Sequence, residues 1–254
     1  MKRIIAIILM NFLFINLPYS YSKGLHYKDK DWNMYFYDNC GFPSNKKNNK
    51  NLSWIKEKNN KFLRFQLSDK QIGKCSSDNK IRNGAPYWER AELKQKGIFK
   101  KNTSYEIRFK VRLIEGFQND YEYFFQIHGY KSMKCNSPLL FIQTKGRNKH
   151  LRLLLRRYPL DRNESVSNLI KKGSFIKYKL GTNSSRRIFV KDILNKWVDI
   201  KFLIHFKQTN GILDMYFNGE KVIENQSFDM LKCQTPHIKF GIYRPGNDQS
   251  KNFT

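Results

Sequence analysis

The chain has 254 residues, which suits one large or two small domains. Its 48 Lys and Arg against 21 Asp and Glu give a formal charge of +27. A field of that sign points to a polyanionic partner, either nucleic acid, anionic lipid or acidic polysaccharide. A solvated, lysine-biased surface accounts for part of it, and residues 46–50 read as such a loop.

Residues 1–22 have the form of a secretory signal peptide. Lys2 and Arg3 are its basic start, residues 4–17 are apolar except for Asn11 and Asn16, and Ser20 and Ser22 are the small residues before the cut. The apolar run is short for a membrane span and no second one follows. The expectation is a soluble protein, secreted or periplasmic, made of a single domain over residues 23–254. The leader carries two positive charges and no acid, so the mature charge falls from +27 to +25. Export argues against chromosomal nucleic acid and leaves an acidic glycan as the expected partner. Neither a membrane nor a further subunit is expected.

All four cysteines, Cys40, Cys75, Cys135 and Cys233, lie beyond the leader, and an even number in an exported chain indicates disulfides. Of the three possible connectivities, Cys40–Cys75 with Cys135–Cys233 is preferred. It closes the N-terminal region and joins segments next to two strands of interest. No CxxC spacing suggests a zinc or redox site.

The N-terminal part to about residue 60 reads as loop-rich, with Trp32 and Trp54 as core anchors. Residues 61–67 are the first clear strand. Residues 68–84 are a polar loop carrying Cys75. In 88–94, Trp88, Arg90, Glu92 and Lys94 share one face, while Glu89, Ala91 and Leu93 share the other. Residues 105–113 alternate without a fault between apolar and charged. In 123–128, Tyr123, Phe125 and Ile127 point to a core, and Phe124, Gln126 and His128 point away from it. Strands follow at 139–144 and 151–157, and residues 160–187 read as a basic loop. Further strands are expected at 197–206, 212–217 and 221–223, the last entered through an Asn218-Gly219 hairpin turn. The final one, 238–243, puts His237, Lys239, Gly241 and Tyr243 on one face. Many short strands without intervening helices predict an all-β, concanavalin-like β-jelly-roll sandwich with a concave groove.

Three of these strands carry polar groups on matching faces: Arg90 with Glu92, Gln126 with His128, and Lys239 with Tyr243. β-Elimination on a uronic-acid polymer needs such a set. The C5 proton is removed next to a carboxylate, so that charge must be neutralised, and Arg90 and Gln126 suit this. A base takes the proton and an acid protonates the leaving C4 oxygen, for which His128 and Tyr243 suit. A tyrosine acts as base only where cations lower its pKa, a role open to Lys239 or Arg90. Gly241 leaves room for a bulky ligand against the backbone. Arg152, Arg156 and Arg157 could extend the groove toward sulfate or carboxylate groups. Glu92 reads as a partner of Arg90.

Trp88-Glu89-Arg90-Ala91-Glu92-Leu93, Gln126-Ile127-His128, Trp197 with the 214–222 hairpin, and Lys239-Phe240-Gly241-Ile242-Tyr243-Arg244 occur in an order that resembles the heparin lyase I-like polysaccharide lyases, glucuronan lyases included. The Arg-x-Glu-Leu, Gln-Ile-His and Lys-x-Gly-x-Tyr pieces also resemble the jelly-roll alginate lyases. The resemblance spans residues 88–244. It implies a jelly roll and a lyase acting on acidic polysaccharide. Gln126 and Arg90 would neutralise the uronate and His128 would be the base. Tyr243 would be the acid, or acid and base together, and Lys239 and Arg244 would contact substrate. Two departures stand out: the family closes its jelly roll with a strand after the Tyr-bearing one, and some relatives hold a calcium ion. No cofactor is required by the chemistry, and a structural calcium is left open. The alternative reading is a non-catalytic jelly-roll module that binds acidic glycans. A glycoside hydrolase would need two carboxylates flanking the bond, and no strand offers them.

Overall fold

A computed structural model describes residues 6–15, 32–36, 39–43, 51–68, 70–81, 85–95, 99–115, 117, 122–128, 138–145, 150–156, 175–179, 188–207, 210–228 and 236–246. Two antiparallel sheets pack face to face as a β-sandwich of the jelly-roll type, and one helical turn, Val190–Ile193, is the only helix among the described residues.

In chain order the strands are β1 (Ala6–Ile15), β2 (Trp32–Phe36), β3 (Asn39–Pro43), β4 (Leu52–Glu57), β5 (Asn60–Leu67), β6 (Trp88–Gln95), β7 (Thr103–Val111) and β8 (Tyr123–His128). They continue with β9 (Pro138–Lys145), β10 (His150–Arg156), β11 (Phe175–Lys179), β12 (Val198–Phe206), β13 (Gly211–Phe217), β14 (Glu220–Phe228) and β15 (His237–Pro245). One sheet has the order β14-β13-β12-β7-β1-β5-β4, the other β11-β10-β9-β8-β15-β6-β2-β3.

Alternation places the core. In β7, Ile107, Phe109 and Val111 are buried and Arg108 and Lys110 are exposed. β12 repeats this, burying Val198, Ile200, Phe202, Ile204 and Phe206. These meet Phe125, Ile127, Ile238, Phe240 and Ile242 of the facing sheet. Phe125 stacks on Phe202 with ring centroids 5.1 Å apart, and Phe109 meets Phe240 edge-on at 5.4 Å. Such aromatic pairs add about 0.5–1.5 kcal/mol beyond the area they bury.

Several expectations need correction. Trp54 is 42% exposed and anchors no core. The N-terminal region is richer in strands than its composition indicates, and β11 runs through the stretch read as a loop. In the uncleaved chain, residues 6–15 of the run read as a leader form β1, paired with β5 on one side and β7 on the other, a pairing separate from whether that leader is removed. The strand is apolar except for Asn11 rather than alternating, and Leu13 and Ile15 pair in register with Arg108 and Glu106. Its apolar, partly β-branched composition suits a strand whenever it remains attached to the chain.

Candidate active site

The central strands of the eight-stranded sheet, β8, β15 and β6, carry the expected residues on the face away from the core. Register places Tyr243 opposite Arg90, Gly241 opposite Glu92 and Lys239 opposite Lys94. On the other side of β15, Lys239 faces Gln126 and His237 faces His128.

One irregularity rearranges this face. Pairing of β15 with β8 shifts between Phe240 and Tyr243, and pairing of β8 with β9 shifts between Tyr123 and Phe125. Such bulges are common beside functional sites and re-aim side chains. Here Phe124 joins Phe125 in the core, and Tyr123 turns to the site face, 5.8 Å from the Tyr243 ring. Gly241 sits in this irregular stretch at φ +129°, and a Cβ there would lie 2.1 Å from the Ala91 carbonyl oxygen. The space beside Gly241 is therefore filled by the β6 backbone, not kept for a ligand.

Around Tyr243 a compact cluster forms. Trp88 stacks on its ring at 4.8 Å and Tyr123 flanks both. The Arg90 guanidinium lies over the same ring, 4.4 Å from the centroid, and a side-chain hydrogen bond couples it to Tyr243. Arg90 Nη2 donates to Asp78 Oδ1 at 2.7 Å, and its Nε lies 3.5 Å from Glu92 Oε2. Glu92 also accepts from Gln126 Nε2 at 2.6 Å and sits 3.7 Å from Lys239 Nζ. Burial alone would lower the Arg90 pKa, but Glu92, Tyr243 and Asp78 outweigh it and hold the guanidinium above its usual value. Burial pushes the Lys239 ammonium down, with Glu92 opposing and Arg90 adding to the shift. Glu92 is thus a partner of cations, as its position suggested. Arg90 is 6% exposed and faces two carboxylates, so its charge acts on Tyr243 rather than on an incoming anion.

His128 stands apart. It stacks on His237 with ring centroids 5.2 Å apart. Tyr243 pairs with Tyr123, five residues from His128 on β8, which at 3.3–3.4 Å per residue is about 17 Å along the strand. The structure therefore brings Arg90, Gln126, Lys239 and Tyr243 into one continuous network and leaves His128 at its far end. His237 is buried, and burial, His128, Lys94 and Lys239 together push its imidazole far below its ordinary range.

Arg244 is not a substrate contact. Alternation turns it to the opposite face, where it is 2% exposed and paired with Glu89 at 2.6 Å and Glu122 at 3.1 Å. Burial lowers its pKa, but Glu122 and Glu89 outweigh it and raise the net value. Arg152 and Arg156 take alternate positions of β10, with Arg152 in register with Gln143, and their side chains lie outside the described residues. Cys40 and Cys75 form the expected disulfide, with Cα atoms 5.1 Å apart, and Cys135 and Cys233 lie outside the described residues. Among the described residues, no three His, Cys, Asp or Glu side chains gather as a metal-binding group.

Sequence reasoning missed Asp78 and the role of Tyr123. Asp78 lies in a loop without periodicity, and the bulge that turns Tyr123 has no local signature beyond Gly241. A separate cleft of about 390 Å³ lies on the other sheet, lined by Tyr105, His205, Ile212 and Asp214 among others, and holds none of these residues.

No curated protein matches the chain. Among solved structures, a family 7 alginate lyase, crystallised as a double variant in complex with its substrate, is similar over 86% of each chain, at 8% identity and a TM-score of 0.48. A family model described as polysaccharide lyase matches residues 28–254, and the chain belongs to that polysaccharide lyase family.

Proposed function

We propose that this polysaccharide lyase cleaves a D-uronate polymer, glucuronan-like or mannuronate-rich, by syn β-elimination with Tyr243 as both base and acid. The separation of His128 from Tyr243 carries the reading. Two groups whose backbones stand about 17 Å apart along a strand cannot serve one sugar ring. In D-glucuronate and D-mannuronate the C5 hydrogen and the C4 oxygen leave from the same face, so one residue reaches both. In L-iduronate and L-guluronate they leave from opposite faces, and two residues are needed.

The Tyr243 phenolate, favoured by Arg90, takes the C5 proton. The electron pair forms the C4–C5 double bond as the C4–O bond breaks. The Tyr243 hydroxyl then returns the proton to the departing oxygen. Lys239 and Lys94, both half-buried on this face, meet the substrate carboxylates, His128 holds the chain further along, and buried Gln126 orients Glu92 beside Lys239. Trp88 and Tyr123 support the Tyr243 ring. The protein acts outside the cell or in the periplasm after its leader is removed.

The test is ultraviolet absorbance of the new double bond on glucuronan, polymannuronate, polyguluronate, heparin, heparan sulfate and hyaluronan. Cleavage is expected on the D-uronate polymers. Tyr243→Phe should lose on the order of 10²–10⁴-fold in kcat, the span of general acid–base catalysis. His128→Ala should raise KM and largely spare kcat. Cleavage confined to polyguluronate, or a dead His128→Ala with normal binding, refutes the single-residue mechanism. Binding of all polymers with no cleavage would make the protein a glycan-binding module.

A further inference from the structure

Asp78 is fully buried, and its carboxylate meets Arg90 Nη2 at 2.7 Å. A buried carboxylate costs several kcal/mol unless it is paired, so this loop is built around the contact. Its backbone is tied on both sides. Asp78 N donates to the Cys75 carbonyl at 2.8 Å, Trp88 N donates to the Asp78 carbonyl at 2.8 Å, and Gly73 N donates to the Trp88 carbonyl at 2.9 Å. A Cβ at Gly73 would lie 2.1 Å from Asp78 Oδ2, so glycine lets the loop lie directly on the carboxylate. Cys75, joined to Cys40 of β3, places its Sγ 3.8 Å from Arg90 Nη1. The three guanidinium nitrogens thus face Cys75, Asp78 and Glu92, while the plane of the group rests on Tyr243.

We propose that Asp78 is a positioning residue for the elimination: through Arg90 it fixes the Tyr243 hydroxyl, and the Cys40–Cys75 disulfide locks the loop that carries it. This rests on Tyr243 acting as proposed above. With Nη2 held by Asp78, Arg90 cannot rotate off the Tyr243 ring toward solvent. Cys40 is exposed and Cys75 is buried, so an external dithiol reaches the bond from the Cys40 side. The dithiol supplies two electrons and two protons, leaves as its own disulfide, and frees two cysteine thiols. The loop then loses its tether to β3, and Asp78 loses its fixed distance to Arg90.

The test uses the full chain in three forms: Asp78→Asn, the Cys40→Ser/Cys75→Ser pair, and wild type treated with a dithiol. Two readouts are needed. One is kcat and KM on the cleaved polymer. The other is ¹³C NMR of labelled tyrosine, with the Tyr243 signal assigned by Tyr243→Phe and followed against pH, which requires no turnover. Asp78→Asn should lower kcat roughly 10–100-fold, the scale of a misplacement of about 1 Å, with KM changed by less than about threefold. The Tyr243 signal and its titration should move. Reduced and disulfide-free protein should change in the same sense while keeping wild-type circular dichroism. An Asp78→Asn protein with kcat within about twofold of wild type overturns the proposal, whatever its Tyr243 signal does. If Asp78→Asn does not fold, reduced wild type decides: folded protein with unchanged kcat and Tyr243 titration overturns it. If no polymer is cleaved, the proposed function fails, and the Tyr243 titration still decides whether Asp78 acts on Tyr243.

Discussion

His237 allows a test of the site's electrostatics that needs no substrate. Its ring is 2% exposed, and neither ring nitrogen has a hydrogen-bond partner among the described residues. It faces His128 from β8, Lys94 from β6 and Lys239 from its own strand. Burial and these three groups all disfavour its charged form, so the folded pKa lies far below the ordinary value. In the unfolded chain the imidazole titrates near 6.5. Below that pH the unfolded state binds a proton that the folded state refuses, so stability falls as pH drops and recovers as pH rises toward 6.5. Each pH unit is worth about 1.4 kcal/mol, so from pH 6.5 to pH 5 His237 withdraws about 2 kcal/mol. His237→Leu removes this proton and keeps a similar volume. It also removes two buried nitrogens whose lack of partners costs about 1–3 kcal/mol. Urea unfolding of both proteins across this range isolates the effect, because the other titrating groups are shared. The variant should match or exceed wild type at neutral pH, and its advantage should grow by about 2 kcal/mol on acidification to pH 5. Parallel stability curves would refute the reasoning, since His237 would then accept a proton within the fold.

Two further outcomes are expected from the fold. Arg244→Gln leaves Glu89 and Glu122 buried without their shared cation and should cost about 3–5 kcal/mol in chemical unfolding, with KM of the folded fraction unchanged. A loss below about 1 kcal/mol would mean that water reaches the pair. Intact mass of the exported protein should begin at Lys23, which removes β1 from between β5 and β7. A mass that retains residues 6–15 would make β1 a permanent strand and sink the leader assignment.

Period-two alternation carried most of the fold. Residues 105–113 alternate cleanly and β7 covers Thr103–Val111. The face shared by Arg90, Glu92 and Lys94 is equally visible, because a strand needs only its own residues to set its two faces. Alternation fails where the chain is bulged or locally apolar. Tyr123 and Phe124 exchange faces because two neighbouring ladders shift register there. Trp54 looked like an anchor by residue type, yet β4 is the last strand of its sheet and leaves it 42% exposed. Arg244 sits in the same run of residues as Tyr243 and points the other way, which alternation alone would have shown.

The sequence by itself determined the all-β class, the residue types of the site and the faces that carry them, because strand periodicity and side-chain chemistry are local properties. Tertiary structure alone decided which of those residues meet. Register between β8 and β15 places His128 beside His237 and far from Tyr243. Loop packing brings Asp78 to Arg90 across 12 positions of sequence. Register and loop packing arise from pairing between distant segments, and no periodicity within one strand encodes that distance.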